Sequence, residues 1–288
     1  MIEYLTRNKL DVIKYDQCIA RAVNSRVYGY SWYLDSVCDT WDALVAGDYN
    51  MVMPLPKRRK FGINYVYLPP WTQQLGVFSK EELNESTVVT FLKAIPRKFK
   101  FVELKLNSAN AVFSKNISPR DNYILSLDTD FETIVQNYNQ NRKRITSSIP
   151  ENIFFEKNLE TDEFLTFYKQ EHPDFTVAED TDEKLEQLIK HRNSGVNIWA
   201  VYGGGELFSA LLWLKDKQRI TYLVPVNSAA GKKANTATYL INYLIKEYEK
   251  TGLIFDFEGS VLSGVAGFYK SFGARKETYY HFKKYRLF

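Results

Sequence analysis

WDALVAGDYNMVMPLPK, Trp41 to Lys57, and WAVYGGGELFSALLWLK, Trp199 to Lys215, align without a gap at an offset of 158 residues. Trp41 falls on Trp199, Gly47 on Gly205 and Lys57 on Lys215. Both stretches read as a strand, a glycine-containing turn, a second strand and a charged turn. An internal repeat of this kind makes the chain a duplication of one structural unit. A third strand follows in each copy, Ile63 to Leu68 and Arg219 to Val224, and each runs into a proline, Pro69 or Pro225. Proline marks the end of regular pairing, a bulge or an edge. A helix-like stretch comes next: Glu85 to Lys98 in the first copy, Thr236 to Lys250 in the second. The latter carries Tyr239, Leu240, Tyr243, Leu244 and Tyr248 at helical spacing. A further strand closes each set, Phe101 to Leu104 and Ile254 to Phe257. Hairpin, strand, helix, strand describes a mixed sheet with a crossover helix on its face.

The bulk properties agree with two such units. The 288 residues exceed what one core ordinarily needs. Apolar residues at 45% and charged residues at 25% give the balance of an ordinary globular protein, and 15% aromatics favour well-buried sheets. No apolar run is long enough for a membrane span, and the start of the chain shows no secretory signal, so a cytoplasmic location is expected. Cys18 and Cys38 read as packed, reduced thiols. His172, His191 and His281 have no ligand spacing, which argues against a zinc site, and no metal is expected. The net charge of +4 is too small to call for a nucleic-acid-binding module without chemistry, and no DNA partner is expected.

Between the copies, Asp130 to Ser148 (DFETIVQNYNQNRKRITSS) reads as one linking helix with Arg142, Lys143 and Arg144 near its C-terminal end. Another helix is expected from Asp182 to His191. The expected division is an N-terminal unit over 1–128, a link over 129–150 and a C-terminal unit over 151–288. After Ile254 to Phe257 come Glu258, Gly259 and Ser260, then GFYKSFGA (Gly267 to Ala274) and a final strand from Lys276 to Lys283.

The FYKSFGA stretch resembles the F-Y-x-x-x-G-F end of a Gcn5-related N-acetyltransferase (GNAT) domain. The longer string FDFEGSVLSGVAGFYKSFGA, Phe255 to Ala274, resembles the C-terminal signature of the Fem-type family, a tandem-GNAT group, and NYNQNRKRITSS is similar to the basic helix before that family's second domain. The resemblance implies an α/β (α+β) fold of two tandem GNAT-like domains and a transferase moving an acyl or aminoacyl group to an amine. The acceptor would be a small molecule or peptide, exemplified in the family by cell-wall precursors. The co-substrate would be acyl-CoA or aminoacyl-tRNA, so tRNA is a candidate partner, with no bound cofactor. The alternative is a tandem-GNAT scaffold without catalysis that binds a metabolite, peptide or partner.

The same resemblance implies site residues. Tyr269 matches the tyrosine that protonates the leaving group in many GNAT enzymes. Asp256 and Glu258 share one face of their strand, so either could accept the amine proton or hold an ammonium. The stretch Val226 to Asn235 departs from the family's Q/R-x-x-G-x-G/A loop: it has one glycine and two lysines, Lys232 and Lys233, which could hold donor phosphate by side-chain charge. Arg142, Lys143 and Arg144 are further candidates for donor phosphates or a tRNA backbone. Tyr67, Trp71, Tyr222 and Ser260 are candidate substrate contacts. The N-terminal copy lacks a phosphate loop and is expected to supply acceptor-binding surface.

Overall fold

The computed structural model describes residues 1–172, 180–259 and 263–286. The elements in chain order begin with β1 (Ile2–Thr6), α1 (Val12–Arg21), α2 (Ser31–Val37), β2 (Trp41–Ala46), β3 (Met51–Lys60) and β4 (Ile63–Val66). They continue with β5 (Phe78–Ser79), α3 (Glu85–Ala94), β6 (Phe99–Leu106) and β7 (Ile117–Ser126), followed by α4 (Phe131–Gln136) and α5 (Gln140–Thr146). Next come β8 (Ile153–Glu156), α6 (Thr161–Glu171), α7 (Thr181–Ile189), β9 (Val196–Gly203), β10 (Glu206–Lys215) and β11 (Arg219–Asn227). The last are α8 (Ala229–Ala234), α9 (Thr236–Glu247), β12 (Ile254–Asp256), α10 (Ser263–Lys270) and β13 (Arg275–Tyr285).

These elements form two compact units. Unit 1 comprises Met1–Asp121, Val177–Leu188 and Glu277–Phe288; unit 2 comprises Asn122–Thr176 and Ile189–Lys276. In unit 1 the strands follow the order β1, β2, β3, β4, β6, β13, with β5 against β3. In unit 2 the order is β8, β9, β10, β11, β12, β7. The two sequences of pairings match rung for rung in direction: antiparallel throughout, except one parallel pair, β4 with β6 and β11 with β12. The repeat in the sequence is therefore a repeat in the sheet.

The units do not follow the division at 1–128 and 151–288. Each takes its sixth strand from elsewhere in the chain. β7 follows β6 directly, yet its residues from Ile124 to Ser126 pair with β12 in unit 2. β13, the last strand, pairs with β6 in unit 1 from Tyr280 to Tyr285. The physical reason is burial: Tyr123 and Leu125 enter the unit 2 core, whereas Phe282 enters the core built from Leu55, Val66, Phe91 and Leu104 in unit 1. The link also differs from one helix. It breaks into α4 and α5 because Asn139 takes an extended conformation (φ −68°, ψ 165°) and its side chain caps α5 by accepting from the Arg142 N–H at 2.8 Å. Asp130 caps α4 in the same way, through the Thr133 N–H at 2.8 Å.

Buried amides finish unit 1. Asn110 Oδ1 accepts from the Val77 N–H at 2.7 Å and its Nδ2 donates to the Val77 carbonyl at 2.9 Å; Asn107 Nδ2 donates to the Leu75 carbonyl at 3.0 Å. They satisfy a segment that would otherwise leave buried backbone groups unpaired. The two cysteines are free and buried. No helix of the described residues is long and apolar enough to cross a membrane.

The strand exchange has a direct test. Phe282→Ala should cost about 3–5 kcal/mol, the range for truncating a buried aromatic side chain. In hydrogen exchange it should speed the amides of β6 and leave those of β11 unchanged; faster exchange in β11 would place β13 in the other core.

Candidate active site

The parallel pair β11 and β12 is short. It has three rungs, Arg219 with Ile254, Ile220 with Phe255 and Thr221 with Asp256. β11 then continues six residues further, to Asn227, while still pairing with β10. Past Asp256 the chain turns to the other neighbour: the Phe257 N–H donates to the Tyr123 carbonyl at 2.9 Å, and the Tyr123 N–H donates to the Glu258 carbonyl at 3.3 Å. A seam opens between the strands from Tyr222 onward. Two local causes lie beside it. The β10–β11 register jumps from Trp213 with Tyr222 to Leu212 with Val224, so Leu223 is the extra residue of a bulge, and bulges bend and twist a strand. Pro225 is tolerated in β11 because its seam side is an edge.

The second cause is Asp256. Its side chain is 2% exposed and accepts three hydrogen bonds: from Asn122 Nδ2 at 2.9 Å, Arg219 Nη1 at 2.8 Å and the Glu258 N–H at 3.0 Å. The last bond folds the chain back on itself within two residues, as an Asx turn does. Glu258 is thereby held at φ 60°, a left-handed conformation that a non-glycine residue adopts at a cost. Asp256 is thus an anchor engaged on both oxygens, and Glu258 follows it in the turn, its charge close enough to act on Tyr269. Strand alternation placed the two together, but the turn gives them different work.

Tyr269 stands on α10 with its ring 5.0 Å from Phe257, 6.1 Å from Tyr222 and 6.2 Å from Tyr123 (centroid distances). Burial pushes its hydroxyl pKa well above the ordinary phenol value, and the charges of Glu258 and Asp256 push it the same way. Its hydroxyl has no hydrogen-bond partner among the described residues. Tyr222, also buried, is likewise driven up by burial and then by Tyr269. Tyr269, Tyr222, Glu258 and Asp256 are therefore brought together. Ser260 lies outside the described residues.

The basic candidates separate. Arg142 is buried; Lys143 Nζ donates to the Gln136 carbonyl at 2.8 Å, at the end of α4; Arg144 is exposed and donates to Asn141 Oδ1 at 3.0 Å. Lys232 and Lys233 are exposed in the last turn of the six-residue α8, rather than at a helix N-terminus. Gly231 does not serve as a cradle: a Cβ there would lie 2.1 Å from the Phe208 carbonyl oxygen, so packing against β10 requires the glycine. The Gly231 and Lys232 N–H groups are already donated to Ser228 Oγ (3.0 Å) and the Ser228 carbonyl (2.9 Å).

Tyr67 and Trp71 belong to unit 1 and are not part of this cluster. The Arg58 guanidinium lies 4.3 Å over the Tyr67 ring, and Arg58 also pairs with Asp39 and Asp180. Trp71, at φ 56°, donates from Nε1 to the Thr181 carbonyl at 2.9 Å. They hold the start of α7 on unit 1. The equivalent seam of unit 1 is closed. After Val66 the chain loops out and returns at Leu75, whose N–H donates to the Lys105 carbonyl at 2.7 Å and whose carbonyl accepts from Asn107 at 2.8 Å.

Sequence reading missed Asn122, Tyr123 and Arg219. The first two fall in the stretch 1–128 expected to form the N-terminal unit, where no strand was expected around them. Arg219 opens a strand, where a basic residue normally reads as solvated; its spacing from Asp256 carries no local signal.

Removing one member of the buried Arg219–Asp256 pair leaves an uncompensated charge. Arg219→Met should cost about 3–5 kcal/mol in urea unfolding, and pairing it with Asp256→Leu should restore part of that loss. A cost under about 1 kcal/mol would mean that the pair does not anchor the turn.

A GNAT acetyltransferase domain family matches residues 135–271, a span that includes the seam and Tyr269. No curated protein matches the chain. Among solved structures, FemX has a TM-score of 0.69 at 10% identity, with 96% of each chain covered. A tandem GNAT protein from the clavulanic acid biosynthesis pathway, solved without acetyl-CoA, has a TM-score of 0.56 at 11% identity, covering 98% of each. L-PGS from Bacillus licheniformis has a TM-score of 0.53 at 15% identity, covering 96% of this chain and 93% of its own. With the duplicated sheet, the chain has a tandem GNAT-like fold, similar to those of FemX and the tandem GNAT protein, with a GNAT acetyltransferase domain match over residues 135–271.

Proposed function

We propose that the chain is an acyl or aminoacyl transferase whose donor carbonyl lodges in the seam between β11 and β12. The observation that carries this reading is the early end of their ladder, after Thr221 with Asp256, beside a buried tyrosine and a carboxylate. Backbone N–H groups of β11 that no longer face a partner strand can polarise a carbonyl without reorganising. An amine attacks that carbon, forming the C–N bond. Glu258 accepts the amine proton, and the C–O or C–S bond to the leaving group breaks as Tyr269 transfers its phenolic proton to it. Proton exchange with solvent restores both groups.

Two observations support aminoacyl-tRNA over acyl-CoA as donor. The closed α8 turn offers no glycine-lined cradle to a pyrophosphate. A phenol driven up by burial also matches the more basic alkoxide of an ester better than a thiolate. The amine acceptor is a small molecule or peptide, and the reaction belongs in the cytoplasm, where charged tRNA and acyl-CoA are made. The residues assigned to phosphate in this reading are the exposed Lys232, Lys233 and Arg144.

Incubation with bulk tRNA charged with labelled amino acids, or with labelled acetyl-CoA, plus a panel of primary amines, tests the reading. Label should pass from a donor to an amine, and Tyr269→Phe should slow that transfer at least tenfold. Transfer from neither donor, with no thermal shift by either, would favour a scaffold without catalysis. Glu258→Gln should remove the acidic limb of the pH–rate profile. Tyr269 should add no alkaline limb below about pH 10, because its proton is held more tightly than that of a free phenol. With tRNA, Lys232→Ala/Lys233→Ala should flatten the log–log salt slope by about 0.7–0.9 per lost phosphate contact; an unchanged slope would remove these lysines from the donor site.

A further inference from the structure

Arg142 is the described cation whose surroundings its charge explains least. It is 6% exposed, and it has no carboxylate partner among the described residues. Burial accordingly lowers its pKa. Nε donates to Ser271 Oγ at 3.0 Å, Nη1 donates to Thr238 Oγ1, and the guanidinium lies 4.6 Å from both the Phe268 and Phe272 ring centroids. A buried cation answered only by hydroxyls and ring faces is expensive, and a helix surface would hold an apolar side chain more cheaply.

Its partners share one property. Phe268 and Ser271 lie on α10 or directly after it, on either side of Tyr269 in sequence, and Phe272 follows one turn after Phe268. Ser271 Oγ, which accepts from Arg142, itself donates to the Phe268 carbonyl at 2.6 Å, the peptide group that joins Phe268 to Tyr269. Thr238 lies on α9 and Arg142 on α5, so one side chain fastens three helices. The junction before α5 adds to the clamp: the Asn139 N–H donates to the Ser271 carbonyl at 3.0 Å, and Tyr138 meets the Phe272 ring at 5.3 Å.

We propose that Arg142 is a positioning residue for Tyr269, fixing α10 against α5 and α9 so that the phenol faces the seam, rather than a contact for donor phosphate. The assignment rests on the acid role given to Tyr269 above. A planar fork is needed, because a single ammonium cannot reach both hydroxyls while also lying against both rings.

The test uses the full chain with Arg142→Met and Arg142→Lys, each alone and combined with Tyr269→Phe. Tyrosine labelled with ¹³C at Cζ gives a signal for Tyr269, identified by its loss in Tyr269→Phe. In Arg142→Met that signal should shift and broaden, and in Arg142→Lys it should do so less. With whichever of charged bulk tRNA or acetyl-CoA supports transfer, Arg142→Met should lower kcat about tenfold and leave the donor KM within about twofold. That loss should vanish in the Tyr269→Phe background, although thermal stability falls equally in both backgrounds. An unmoved Tyr269 signal would overturn the proposal. So would a fivefold rise in donor KM with kcat kept, which marks a donor contact, or an undiminished loss in the Tyr269→Phe background. Tyr269→Phe alone judges the acid role: full activity there rejects that role, while the Tyr269 signal still decides whether Arg142 positions the ring.

Discussion

The separation of two parallel strands depends on a carboxylate that cannot face water. Asp256 is buried at the last rung between β11 and β12, where Arg219 and Asn122 neutralise and hold it and the Glu258 N–H closes a turn on it. Without that turn the chain could continue as a strand and complete the ladder. With it, the chain bends toward Tyr123, and β11, already bent by the bulge at Leu223, is left with an edge inside the sheet. An interior edge is a liability in a stable protein and a resource in an acyl-transfer site, since its N–H groups are aimed and desolvated before a substrate arrives.

The same unit built twice shows what the seam requires. In unit 1 the corresponding strands also part after three rungs, Val66 with Val102 being the last, but Leu75 re-enters and takes up the backbone groups of Lys105 and Asn107. The buried amides of Asn107 and Asn110 keep it there. One copy has its gap filled from its own chain. The other leaves β11 without a partner strand on its β12 side beyond Thr221 among the described residues, while its β10 side stays paired, and surrounds the opening with Tyr222, Phe257 and Tyr269.

Much of this was legible in the sequence. The repeat of Trp41 to Lys57 in Trp199 to Lys215 fixed the hairpins, and periodicity located α3 and α9 close to their ends, because amphipathic spacing and strand alternation are local properties. Tyr269, Glu258 and Asp256 stood out as candidates because they fall within twenty residues of a recognisable ending, and the fold brings them near one another. The exchange of β7 and β13 was not legible: both are antiparallel strands of mixed polarity, and only the core each one enters decides the pairing. Arg142 read as one of three surface cations, since a basic triplet does not reveal which member turns inward. The break between α4 and α5 was written in Asn139, a residue that caps as readily as it continues a helix.

The central claim is that β11 has unpaired N–H groups facing the seam, and amide hydrogen exchange resolved by residue measures this most directly. Over Tyr222 to Val226, amides turned away from β10 should exchange orders of magnitude faster than those of Arg219 to Thr221, and should slow when the donor is bound. Uniform protection from Arg219 to Val226 in the free protein would mean that the seam is closed, and would contradict the account.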